Sequence, residues 1–203
     1  IRSSIYLGKI EQLLSEILRL NESSDTPNSL ILMAATALCE AHIGNHSETA
    51  KRVNSLIQDI DSKDLAVAPV YVLASFLETA VLIGQKEAAT VLSGYLEPVA
   101  DLALANTALT CIARHLGSAA DLLGDQQKAR ERYLLALEVT TKIRFRPEIA
   151  LTHLQLAELL LEHYPDERSE AMERLDSAIP EFRDMKMQPS LERALSHRDI
   201  LKA

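Results

Sequence analysis

Cys39, His42 and His46 stand in the spacing Cys-x2-His-x3-His, and cysteine and histidine at such intervals can supply three ligands to a tetrahedral zinc ion. A structural zinc needs a fourth ligand, and no second Cys or His lies nearby. Gly44 and Asn45 also end a helical run between the two histidines, so the segment reads as a buried thiol followed by turn histidines, without a metal. The stretch GQKEAAT at 84–90 sets Gly84 beside Lys86 but lacks the flanking glycine and the Lys-Ser/Thr pair that cradle a phosphate. Gly117 and Gly124, seven residues apart and followed by Lys128, raise the same question of a phosphate loop. Glu158 and Glu162 lie one helical turn apart and could act together on a substrate, but on an acidic amphipathic helix that spacing reads as a solvated or groove-lining face. No serine sits in a nucleophile elbow, and neither Cys39 nor Cys111 has an identifiable histidine partner. With no catalytic constellation, neither enzymatic activity nor a cofactor is expected.

Whatever these residues do, helices must position them. The 203-residue chain is rich in Ala, Leu and Glu and has only six Gly and no Trp, which favours helix over sheet. A formal charge of −8 excludes a broad phosphate-binding surface, so no nucleic-acid partner is expected. The basic cluster Lys142-Ile-Arg-Phe-Arg146 reads as helix-end charge leading into a loop. Cys39 and Cys111 read as buried reduced thiols. No signal peptide and no run of membrane-spanning length is visible, so a cytoplasmic location is expected. The chain opens on Ile1 inside helical sequence, the start expected of a fragment of a larger protein.

A repeat organises the chain. Gly44, Gly84 and Gly124 occupy the turns HIGNH, LIGQK and LLGDQ at steps of 40 residues, and the next step falls on Tyr164 in HYPDE, where Pro165 supplies the turn. Apolar helical runs at 30–43, 67–83, 107–123 and 147–163 precede these turns, and charged amphipathic runs at 47–60, 86–104, 126–143 and 168–185 follow them. The breakers NESSDTPN, DSKD and FRP separate the pairs. The organisation is four helix–turn–helix units, about 28–60, 66–104, 107–143 and 147–185, with a helix over about 4–20 before them. A capping helix at 189–202 closes the array, with Ser190 as its N-cap. Such units cannot bury their apolar faces alone and stack into a single all-α solenoid domain.

The third unit resembles a tetratricopeptide repeat. Leu116-Gly117 fills the central pair of the first helix, Gly124 the turn, and Ala129, Tyr133 and Ala136 the small–aromatic–small series of the second helix. Ala113 and Ala120 stand where Trp and Tyr are common, and the 40-residue step exceeds the usual 34. The fourth unit matches at Leu156-Ala157, Leu160, Ala171, Leu175 and Ala178, and the first two match at fewer positions. Residues 107–203 are also similar to the carboxy-terminal repeat regions of large bacterial signalling ATPases, ATPase-linked cyclases and activators related to the maltose-regulon activator.

These resemblances imply a right-handed α–α superhelix and a non-catalytic regulatory module that binds a protein, a peptide or other domains of its own chain. They place Tyr71, Glu78, Arg114, Ser118, Asp121, Glu158 and Glu162 along the inner groove. Arg114 would meet a partner's carboxylate, and the excess of acids favours a basic or mixed-charge ligand. The alternative implied by related activators is a sensor that binds a small molecule inside the superhelix. The charge-poor stretch 65–113 reads as a central unit buried between neighbours, or else as an apolar surface for a homodimer.

Overall fold

The computed structural model describes residues 1–23, 29–59, 65, 67–106 and 108–202. Among these, eleven α-helices carry the fold: α1 (Arg2–Tyr6), α2 (Ile10–Ser23), α3 (Leu30–Ile43), α4 (His46–Asp59), α5 (Val70–Leu82), α6 (Lys86–Leu96), α7 (Ile112–Leu123), α8 (Gln126–Lys142), α9 (Arg146–His163), α10 (Arg168–Asp184) and α11 (Gln188–Lys202). The fold is all-α, with successive helices packed on one another. The breakers expected at 21–28 and 61–64 fall mainly outside the described residues.

The chain divides into two compact units, the first Ile1, Ser3–Ile5 and Lys9–Ala100, and the second Arg2, Tyr6–Gly8 and Asp101–Ala203. In the first, α3 packs on α2, α4 and α5, and α5 on α6. Eight successive residues of α3, Ala34 to Ala41, are buried, which explains why it shows apolar residues all round. In the second, α7 pairs with α8, α8 with α9, α9 with α10 and α10 with α11. Its core holds Tyr133, Leu154, Leu156, Leu159, Leu160, Leu175 and Phe182.

The turns share one hydrogen-bonded form. Gly44, Gly84 and Gly124 have φ of 95°, 72° and 85°. At each, the glycine N–H bonds to the carbonyl three residues back, and the following N–H bonds to the carbonyl five back, as in Asp125 N to Ala120 O at 2.9 Å. This is the Schellman termination, in which a left-handed residue returns two N–H groups to the orphan carbonyls of the last turn. The same pair of bonds recurs where α8 and α10 end, with Arg144 (φ 55°) and Lys186 (φ 57°) in the left-handed position. Buried Phe145 and Met187 follow them. A left-handed L-residue costs roughly 1–2 kcal/mol, partly offset in a glycine by its larger entropy loss. Exposed Arg144→Gly is therefore expected to raise stability by about 1 kcal/mol, read as a higher urea midpoint; a lower midpoint would contradict this account of the turn.

Four helix boundaries depart from the sequence reading. The helix expected over about 4–20 is two helices, α1 and α2, because Gly8 takes φ 70° and a right-handed helix cannot run through it. The helix expected to reach Leu104 ends at Leu96, where Pro98 removes the N–H that would bond back to Gly94. A 3-10 turn at Glu97–Val99 and a short antiparallel pairing of Ala103–Leu104 with Thr110–Cys111 follow, so the next helix begins at Ile112 rather than 107. Ser190 lies inside α11, which starts at Gln188, and so is not its N-cap.

Candidate functional site

The groove positions expected from the repeat meet different neighbours. In the first unit, Tyr71 is exposed on α5, and Glu78 of the same helix lies 3.5 Å from His42 Nε2 on α3. In the second, Ser118 accepts a hydrogen bond from the Tyr133 hydroxyl at 3.2 Å. Asp121 on α7 meets His163 Nε2 on α9 at 3.1 Å. Glu158 on α9 is held by Arg193 and His197 of α11, with His197 Nε2 at 2.9 Å from Oε1. Glu162, at 73% side-chain exposure, is the most open of the set. Burial holds the Asp121 carboxyl above its ordinary value, with Glu162 and Glu158 adding to the shift and His163 opposing it. Asp121, Glu158 and Glu162 thus form one acidic neighbourhood across α7 and α9.

Arg114 requires a correction. It does not face outward toward a partner's carboxylate; it is 4% exposed and its partner is Glu148, itself fully buried. Glu148 Oε2 accepts from Arg114 Nε at 2.7 Å and from the Cys111 backbone N–H at 2.9 Å. Oε1 accepts from Arg114 Nη2 and the Tyr6 hydroxyl, each at 3.0 Å. A carboxylate so far from water is tolerable only when its lone pairs are met this completely. Arg114 Nη1 donates to Gln155 at 3.3 Å, and His115 Nε2 lies 2.5 Å from the Thr110 hydroxyl and 3.4 Å from Arg2 Nη2. With Arg2 Nη2 and Arg114 Nη2 both 3.4 Å away, Nε2 faces donors on two sides, the arrangement suited to an acceptor nitrogen. The single Tyr6 hydroxyl proton is shared between Glu148 Oε1 and the Leu109 carbonyl, the latter 2.8 Å away, and Leu109 has φ 48°. Such a backbone costs of order 1–3 kcal/mol and marks a constrained site.

The sequence reading missed Glu148, Tyr6, His115 and Thr110. The available signal was a polar stripe, Glu148, Thr152 and Gln155, at helical spacing along an otherwise apolar helix.

The zinc-like spacing resolves into separate environments: Cys39 is in the core with Ile17 and Ala35, His42 faces Glu78, and His46 is exposed at the start of α4. Among the described residues no three His, Cys, Asp or Glu side chains converge as metal ligands. Burial raises both thiols to about 11, with Glu148 contributing at Cys111, so both are protonated at neutral pH. Among the same residues no helix is long and apolar enough to cross a membrane.

His153 on α9 has a buried Nδ1 without a hydrogen-bond partner, and burial, then Arg174, pushes its imidazole down to about 4. The unfolded chain titrates this group near 6.5, so between pH 6.5 and 4 only the unfolded form takes up the proton. Stability from this group is complete above pH 6.5 and falls as pH drops through that window. After discounting for partial exposure, about 1–2 kcal/mol is expected. His153→Phe should remove this part of the pH dependence in urea titrations at pH 7 and 4.5; equal slopes in the two chains would refute the assignment.

No family model, curated protein or solved structure matches the chain at a significant level. The helices themselves define the class, an all-α protein of successively packed helices.

Proposed function

We propose that the chain is a tetratricopeptide-like, right-handed α–α array whose inner face binds a basic or mixed-charge protein segment, in a regulatory role. Support for the array comes from the recurrent Schellman turn at 40-residue steps. The packing of first helix on next first helix, α3 on α5 and α7 on α9, points the same way. The observation that carries the binding function is the exposed Glu162 beside Asp121 and Glu158 on two successive first helices, the latter two already engaged by His163 and by Arg193 and His197. Complementary charge steers encounter and fixes register more than it adds affinity.

Fluorescent helical peptides with Leu at i, i+3, i+4 and i+7 and Lys on the opposite face, compared with Leu/Glu counterparts, test this reading. The basic series should bind, weaken with salt, and lose about tenfold in affinity, or 1.4 kcal/mol, to the exposed Glu162→Lys chain. Equal binding of both series, or no response to Glu162→Lys, would overturn it. The regulatory role rests on the likeness of residues 107–203 to signalling-protein repeat regions. An upstream nucleotide-binding or cyclase domain in the full reading frame would support that role, and a short frame without one would remove it.

The second reading is small-molecule sensing, for which an open, mainly apolar cleft of about 290 Å³ lined by Leu161, Pro165, Arg168, His197 and Ile200 is the place to test. Ligand pockets run from roughly 300 Å³ upward, so the cleft suits only a small effector. A reproducible thermal upshift with a metabolite would favour it, and Ile200→Glu should abolish that shift.

A further inference from the structure

The buried Glu148 network contains two side chains that come from the opposite end of the sequence. Tyr6 reaches Leu109 and Glu148 across 103 and 142 residues of chain, and Arg2 reaches His115 across 113. Both stand on α1, a helix of five residues, too short to persist in water on its own. Its position therefore depends on what receives it. Within the second unit that receiver is specific: a buried carboxylate oxygen and a carbonyl presented by a left-handed leucine both aim at one phenolic hydroxyl. One turn away, the acceptor nitrogen of His115 faces the Arg2 guanidinium. The chain then turns at Gly8, where φ is 70° and an added Cβ would lie 3.3 Å from Pro189.

We propose that this receiver is a recognition socket for a short helical segment bearing Arg and Tyr four residues apart. In this proposal Arg2 and Tyr6 are its resident occupants, and a partner segment of the same chemistry displaces them in trans. Arg and Tyr at i and i+4 share one helix face, so a single helix turn presents both. The phenol stays a donor at ordinary pH, because burial and the Glu148 charge hold it well above its usual value. The socket is separate from the acidic neighbourhood and does not depend on how that face is used.

The test titrates a fluorescent peptide of residues 1–9, IRSSIYLGK, into the full chain and into full-length Arg2→Ala/Tyr6→Ala, with hydrogen exchange read at residues 2–9 and in α9. Saturable binding at least about tenfold tighter to the double variant is expected. The gain should be lost when the peptide carries Phe in place of its tyrosine, since a hydrogen bond to a charged group is worth about that factor or more. Amides at 2–9 should exchange at least about tenfold faster in the variant while α9 stays protected. Tyr6→Phe, which keeps the ring, should show the same ordering on a smaller scale. Equal binding to both chains, binding to neither, or an equally good Phe peptide overturns the socket. Loss of α9 protection together with residues 2–9, in Tyr6→Phe as well, makes α1 part of the core and also overturns it.

Discussion

Glu148→Ala is expected to destabilise the second unit by about 3–5 kcal/mol. The carboxylate itself adds little net stability, since its desolvation consumes most of what its attraction to Arg114 returns. The loss comes from what remains behind. With Glu148 gone, the Arg114 guanidinium is enclosed at 4% exposure, and the Cys111 N–H loses its acceptor. Domain stabilities of about 5–15 kcal/mol make such a change visible as a collapse of amide protection in α7 and α9. The double change Arg114→Met/Glu148→Leu provides the decisive comparison. Removing both charges and filling the space should recover most of the loss, whereas two independent structural contributions would add. A Glu148→Ala chain within 1 kcal/mol of the parent, or a double variant worse than either single, would show that the pair is not buried as described.

The contrast between the glycine turns and this pair explains what could be read beforehand. A Schellman turn needs a left-handed residue, and where evolution used glycine, at 44, 84 and 124, the requirement is written in residue identity. The equivalent turns after α8 and α10 use Arg144 and Lys186, whose side chains carry no mark of the conformation they adopt. Helix ends between them were legible to within a few residues because apolar periodicity stops there. The described residues of 97–106 and 108–111 were not legible as a break between helices, since their Ala and Leu residues favour helix while one proline and the Thr110 pairing decide otherwise. Glu148 was invisible for a different reason. Its partners lie 34, 37 and 142 residues away, and no local spacing encodes a contact of that range. Arg114 fell on a groove position in the repeat pattern, yet a polar side chain at such a position turns inward when a buried carboxylate is there to meet it.

Gly117→Leu is expected to cost about 3 kcal/mol or more, and the reason is geometric. A Cβ built on Gly117 would lie 2.7 Å from both Cδ1 and Cε1 of Tyr133, closer than real Cβ atoms come, and a tight 3.1 Å from its Cγ. The ring has little freedom to retreat, being 2% exposed with its hydroxyl bonded to Ser118. Overpacking of this kind costs typically 1–3 kcal/mol for small additions, and leucine adds three carbons beyond the one that already clashes. Alanine gives the sharper test because two effects oppose each other. Intrinsic helix preference alone makes Gly→Ala favourable by about 1 kcal/mol. Gly94, exposed in α6 with nothing within 4 Å of a built Cβ, should show that gain. Gly117→Ala should show a net loss, because the clash exceeds the propensity term, and trimming the ring with Tyr133→Leu should restore the gain. If Gly117→Ala instead stabilises as Gly94→Ala does, the ring moves aside freely. The close passage of α7 over α8 is then not what requires a glycine at 117.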